Sequence, residues 1–293
     1  MERLYLIIPL FSACIYAVSA LCIKRSIQLG MGPWRMTFLS NALMFIVFGP
    51  MAFLVGGSWE FQPWWPPVAG GALFFVGQIF TFLSLTQGDV SIATPVLGSK
   101  VILVAFFLVV ILGDSIDLSV WVAAFLATLG IALLQLGSPV AQRGNTIRTV
   151  LLAFTSAAAF ALADVVMKGW CPGIGFTRYI SVSAAVTMLL SLTLIPFFNG
   201  SLWKLPKGAA SMVWGGLVLL SLQALGIAIS IGIFQDAAGT NIVYASRGLW
   251  SVLLVWFVGH HFANTERHQG GGVMLGRITG AVLILSAVIL IFI

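Results

Sequence analysis

The stretch Ser12-Ala-Cys-Ile-Tyr-Ala-Val-Ser-Ala-Leu-Cys-Ile-Lys24 returns later in the chain as Ser156-Ala-Ala-Ala-Phe-Ala-Leu-Ala-Asp-Val-Val-Met-Lys168. Only four of these thirteen positions are identical, which alone is weak. Three further pairs follow in the same order: Gly32-Pro-Trp-Arg35 with Gly175-Phe-Thr-Arg178, Ser99-Lys100 with Ser246-Arg247, and Gly130-Ile-Ala-Leu-Leu with Gly280-Ala-Val-Leu-Ile. Their spacing is nearly constant, and chance rarely supplies such agreement. The sequence therefore divides into two related halves, 1–140 and 146–293, with the boundary between Ser138 and Arg148.

Composition says what solvent the halves face. The chain has 293 residues, 60% hydrophobic and 8% charged. Soluble domains carry roughly 25% charged residues, so no soluble core could hide this much apolar surface. A helix needs about 20 apolar residues to cross a bilayer. Ten stretches qualify: 4–23, 34–56, 67–86, 91–112, 118–137, 148–168, 176–198, 209–234, 240–261 and 272–293. Breaker sequences such as Gly30-Met-Gly-Pro33, Gly113-Asp-Ser and Asn199-Gly200 separate them. Trp34, Trp59, Trp64, Trp65, Trp121, Trp170 and Trp203 fall near span ends, as interfacial anchors do, whereas Trp250 and Trp256 lie within the ninth. Arg3 before the first apolar run resembles a signal peptide, but the run continues to Ile23 and has a counterpart in the second half, so a retained span is expected. Cys14, Cys22 and Cys171 form no C-x-x-C and read as small apolar side chains.

Five spans per half is an odd number, so the second half enters the membrane from the opposite side. The expected fold is all-α and integral to the membrane, with ten transmembrane helices as two inverted five-helix repeats. Such repeats characterise secondary transporters, with substrate held near the midplane between them.

The residues resemble the drug/metabolite transporter superfamily, in particular its ten-span EamA-type proteins. The resemblance rests on Lys24 and Lys168 closing the first span of each half, Arg35 and Arg178 opening the next, Gly113-Asp114 after the fourth, and a Gly-containing fifth span in each half. Family members usually carry Glu where Asp114 stands, and the corresponding place in the second half, Gly259-His-His261, has no acid. The resemblance implies a basket of helices around a central cavity lined mainly by spans three, four, eight and nine, with one and six. It also implies alternating access without ATP, and export as the commoner direction.

Within that frame the intramembrane polar residues stand out. Lys100 lies about nine residues into its span and Arg247 about seven, roughly 13 and 10 Å deep. Charges there are costly and usually functional. Two cations brought to one cavity suit a carboxylate or phosphate, and the superfamily's plastid phosphate translocators use Lys and Arg in comparable spans. The other reading has each cation bonding helix-end carbonyls or reaching for headgroups. Asn241, Tyr244 and Arg247, three apart, form a polar stripe expected to line the cavity. Thr94, next to Pro95, and Gln78 and Gln223 are the remaining substrate-binding candidates; for the two glutamines, helix–helix hydrogen bonding is an equal reading. Asp164 stands opposite Ala20 in the repeat. It is a candidate for proton coupling, although a plain pair with Lys168 at i+4 is slightly favoured.

No metal, cofactor or nucleic-acid partner is expected. His260, His261, Glu266 and His268 are the only cluster of metal-ligating types, and their spacing matches no known site. The net charge of +6 reflects membrane topology. Counting Lys and Arg places the termini outside, whereas the resemblance implies cytoplasmic termini, and a reporter fused at Ile293 separates the two. The expectation is a multi-pass protein of a bacterial cell membrane, monomer or homodimer, moving a small polar, anionic metabolite, with the lipid bilayer and protons as its other partners. The alternatives are a drug/metabolite-type exporter of amino acids or amphipathic drugs with structural cations, and an integral-membrane enzyme or non-transporting membrane protein.

Overall fold

All regular structure among the described residues is helical. The computed structural model describes residues 3–54, 63–87, 90–134, 146–201, 205–258 and 271–293. Eight helical segments are long and apolar enough to cross a membrane: Leu4–Gln28, Pro33–Phe53, Trp65–Gln87, Ile92–Leu112, Thr146–Ile174, Phe176–Phe197, Ala210–Gly232 and Leu275–Phe292. Leu118–Leu134 is a shorter apolar helix in the fifth place. The chain is thus a multi-pass, all-α membrane protein. The expected boundary between the halves, and the cluster His260, His261, Glu266 and His268, lie outside the described residues.

The helices are α1 (Ile7–Gln28), α2 (Pro33–Phe48), α3 (Met51–Leu54), α4 (Trp65–Gln87), α5 (Val90–Gly98), α6 (Lys100–Phe107), α7 (Leu118–Leu134), α8 (Thr146–Ile174), α9 (Phe176–Ser191), α10 (Ala210–Gly232), α11 (Ala237–Tyr244), α12 (Arg247–Val258) and α13 (Gly271–Phe292). Spans four and nine read as continuous in the sequence, yet each is interrupted, at Ser99 and at Ala245-Ser246. In both places the next residue is the intramembrane cation, Lys100 or Arg247, which opens the second half-helix. At these turns the backbone switches to shorter i→i+3 bonds: Ser99 donates to the Val96 carbonyl and Ser246 to the Val243 carbonyl, at 3.0 and 3.1 Å. Span four ends in a π-helical turn, Leu108–Leu112, capped by Gly113 at φ +70°, the left-handed conformation that glycine adopts without a Cβ penalty.

Packing exchanges the halves. α1 packs along α10 and α4 along α8, each helix of one half meeting the third or first span of the other. α5 and α6 lie against α8, while α11 and α12 lie against α1. α2 meets α9, and α7 meets α13. Small residues allow the close approach: the Ser156 hydroxyl donates to the Gly77 carbonyl at 2.8 Å, and the Ser19 hydroxyl to the Gly216 carbonyl at 2.7 Å. Arg35, one of the family-pattern cations, is buried and donates to the carbonyls of Asn199 and Ser201 at 3.1 and 2.6 Å, closing α2 onto the turn after span seven.

One close crossing joins the glycines aligned by the repeat. A Cβ on Gly130 would lie 2.8 Å from the Gly280 carbonyl oxygen, and one on Gly280 would lie 2.7 Å from the Gly130 oxygen. Replacing Gly280 with Val is expected to cost about 1–3 kcal/mol by overpacking and to lower the melting temperature of the purified protein. Gly215→Val, whose Cβ would meet no atom within 4 Å, is the control and should leave it unchanged. Equal melting temperatures for the two variants would refute the crossing.

Candidate functional site

The polar centre is built on one carboxylate. Asp164 projects from the middle of α8 and accepts from the Lys100 ammonium at 2.8 Å, across the gap to α6. The same oxygen, Oδ2, accepts from Asn241 Nδ2 at 2.7 Å, on α11. Asn241 also donates to its own helix, at the Ala237 carbonyl, 2.9 Å away. Both interrupted spans are thereby fastened to α8 at the level of their breaks.

The slightly favoured pairing of Asp164 with Lys168 is incorrect. Lys168 instead pairs with Asp114, just beyond the Gly113 turn. An i,i+4 pair along one helix contributes only about 0.2–0.5 kcal/mol, and each member here finds a partner on another element. Two cross-helix ion pairs, one turn apart on α8, replace one local pair.

Arg247 is held differently. Its guanidinium carbon lies over the Tyr244 ring, 4.6 Å from the centroid, and over the Tyr16 ring at 5.1 Å. Among the described residues no carboxylate lies within ion-pair distance of it. Tyr244 is fixed in turn by its hydroxyl, which donates to Gln223 Oε1, and by an edge contact with Tyr16 at 5.9 Å. Lys100 has a parallel contact, its ammonium lying over the Phe160 ring at 5.7 Å. Tyr16 and Phe160 align in the repeat, so the two cations rest on corresponding aromatic rings of α1 and α8. Cation–π contacts of this kind contribute about 0.5–2 kcal/mol. Neither aromatic was singled out in the sequence, although the alignment that paired Asp164 with Ala20 also paired Tyr16 with Phe160.

A cavity of only about 10 Å³ touches Lys100, Asn241, Tyr244 and Arg247 and is closed by apolar neighbours including Leu97 and Ile131. That is room for one water, so this conformation is occluded. A larger cavity, about 340 Å³, lies elsewhere, between α1 and α10. Ile8, Phe11, Ile15, Leu222, Leu225 and Ile229 line it, and it presents no charged group. It is an apolar groove and not the polar site.

Of the predicted residues, Lys100, Asn241, Tyr244 and Arg247 meet at the small cavity, with Asp164 and Gln223 bonded directly to them. Thr94, the repeat counterpart of Asn241, lies half-buried on α5 and outside that cavity. Gln78 is tied up elsewhere: it exchanges hydrogen bonds with Asn41 at 2.8 and 3.0 Å, and Asn41 also donates to Ser191 at 2.7 Å. For Gln78, helix–helix bonding describes this conformation. The Thr240 and Ser246 hydroxyls and the Trp250 indole N–H, all in span nine, are buried with no hydrogen-bond partner among the described residues. Buried polar groups without partners are uncommon and call for a physical role. Among the described residues, no cluster of three or more His, Cys, Asp or Glu could hold a metal ion.

Residues 3–136, the first half, match the model of the EamA-like transporter family. That match supports a membrane transporter of the drug/metabolite type. Among solved structures 29 chains match. One, described only as "Crystal structure of protein", superposes with a TM-score of 0.76 over 99% of this chain and 98% of that one, at 18% identity. That likeness speaks for the fold alone. No curated protein matches the chain.

The ion pair makes a quantitative prediction. In a double-mutant cycle, Lys100→Ala and Asp164→Ala should each destabilise the protein, while the double variant recovers part of the loss. Neighbours in direct contact couple by about 0.5–3 kcal/mol. Strictly additive shifts in unfolding free energy would show that the pair is not formed.

Proposed function

We propose that the protein is a secondary transporter that carries a small polar, anionic metabolite across the cell membrane of a bacterium by alternating access. The halves 1–140 and 146–293 serve as inverted repeats that rock around the Lys100–Arg247 centre, and export is the working direction. The protein acts as a monomer or homodimer. The observation that carries this reading is the pair of cations, each opening the second half-helix of a broken span and both touching one occluded cavity. A cation at each break favours an anion beside it. Asn241, Tyr244 and Gln223 supply the hydrogen-bonding surround. Thr94 and Gln78 join it when span four or three moves.

Asp164 is assigned the coupling role. Proton uptake removes its charge, frees Lys100 and loosens the hold of α8 on both broken spans. The titratable groups around it are Lys100 on α6, Lys168 one turn along α8, Tyr179 on α9, Tyr244 on α11 and Arg247 on α12. A second reading draws on one observation: Lys100 already has a carboxylate partner, so the cations could be structural in an exporter of amino acids or amphipathic drugs.

Side-chain removal discriminates between them. For an anion carrier, Lys100→Ala and Arg247→Ala should each lower transport by roughly 30-fold or more, as loss of a buried charged partner does, with insertion into the membrane unchanged. Wild-type transport by both variants would favour the second reading. Asp164→Asn should keep solute exchange in proteoliposomes while losing accumulation driven by a pH gradient. Accumulation that survives the substitution would remove Asp164 from coupling.

A further inference from the structure

The two cations rest on corresponding aromatic positions but differ in the acid beside them. Lys100 rests on Phe160 of α8, and Arg247 rests on Tyr16 of α1, the aligned position. Asp164 lies four residues beyond Phe160, one helical turn on, and reaches Lys100. The residue one turn beyond Tyr16 is Ala20, which has no carboxylate to offer Arg247. Among the described residues Lys100 and Arg247 touch the cavity, one acid, Asp164, is bonded to that centre behind Lys100, and the neighbouring Lys168–Asp114 pair is internally neutral. One positive charge is left over, and it sits at Arg247.

We propose that Arg247 is the seat of the substrate's anionic group and that the site selects substrates bearing a single negative charge. Asp164 is the resident second anion. This rests on the anion-carrier reading above and names the charge that the carrier accepts. The guanidinium lies against two tyrosine rings and hydrogen-bonds Tyr244, itself fixed by Gln223, and its fork of five N–H donors offers more than that one bond uses, in a geometry matched to a carboxylate or phosphate. A dianion would have to reach Lys100 as well. It would meet the Asp164 carboxylate already there, where like charges repel strongly in a poorly solvated setting. Moving the acid across the pseudo-symmetric pair should therefore move the selectivity.

The test uses purified full-length protein in lipid nanodiscs, with Kd measured for matched probes: butanoate against succinate, and dimethyl phosphate against methyl phosphate at pH 8. Wild-type protein should prefer the monoanion of each pair by about tenfold or more. Asp164→Asn should gain at least about tenfold for the dianions, because the resident charge is gone. Ala20→Asp should lose binding of both classes. The double variant Ala20→Asp/Asp164→Asn, which carries the acid opposite Arg247 instead of Lys100, should bind monoanions again. Dianion preference in the wild type, or an unchanged ratio in Asp164→Asn, overturns the proposal. If in addition Arg247→Ala still abolishes anion binding, the carrier reading survives this result. If no probe of either charge binds, or binding is indifferent to both cations, the carrier reading fails with it.

Discussion

The Asp164 carboxylate is the constraint from which the rest of the centre follows. Placed on a long membrane helix, it would be an isolated charge in a poorly solvated bundle, a state that proteins avoid by pairing or neutralisation. It is met from both interrupted spans, by Lys100 on one and Asn241 on the other. One oxygen thus joins the two elements whose breaks define the cavity. Any motion that separates α6 from α11 must release that oxygen from at least one partner. The occlusion seen here and the closeness of these contacts are one fact described twice.

Around that oxygen the two halves provide matching scaffolds. Corresponding turns interrupt spans four and nine, corresponding aromatic rings support the cations, and glycines from corresponding helices cross at Gly130 and Gly280. Symmetry of this kind gives a carrier two conformations of similar energy, which alternating access requires. Function then lies in the departures from it: Asp164 against Ala20, Asn241 against Thr94, Arg247 against Lys100. The Lys168–Asp114 pair is a further departure. It ties the end of α8 to the end of span four, and the matching position in the second half carries histidine in place of an acid.

The architecture was legible because it is written in composition and repetition. Apolar runs of bilayer length specify membrane helices without reference to contacts. The centre was half legible. Intramembrane charge marked Lys100, Arg247 and Asp164, and three-residue spacing marked Asn241 and Tyr244. Their pairing was not, since an acid four residues before a lysine reads as a local bond, and only the packing of α6 on α8 reveals a nearer partner. The breaks at Ser99 and Ala245-Ser246 were hidden as well. Pro95 signals loosening, but α5 continues to Gly98, and nothing in Val243-Tyr-Ala-Ser246 forbids a regular helix. Gln78 shows the opposite limit: a polar residue in a membrane helix looks the same whether it faces a cavity or, as here, an asparagine.

The central claim is that this small cavity is the alternating-access site. It is tested most directly by side-specific labelling of Ala245→Cys, which lines the cavity, in oriented proteoliposomes of a variant lacking Cys14, Cys22 and Cys171. The account predicts that a membrane-impermeant maleimide labels this cysteine from either face, and that a transported anion slows the reaction from both. Labelling from one face only, or labelling indifferent to anions, would contradict it.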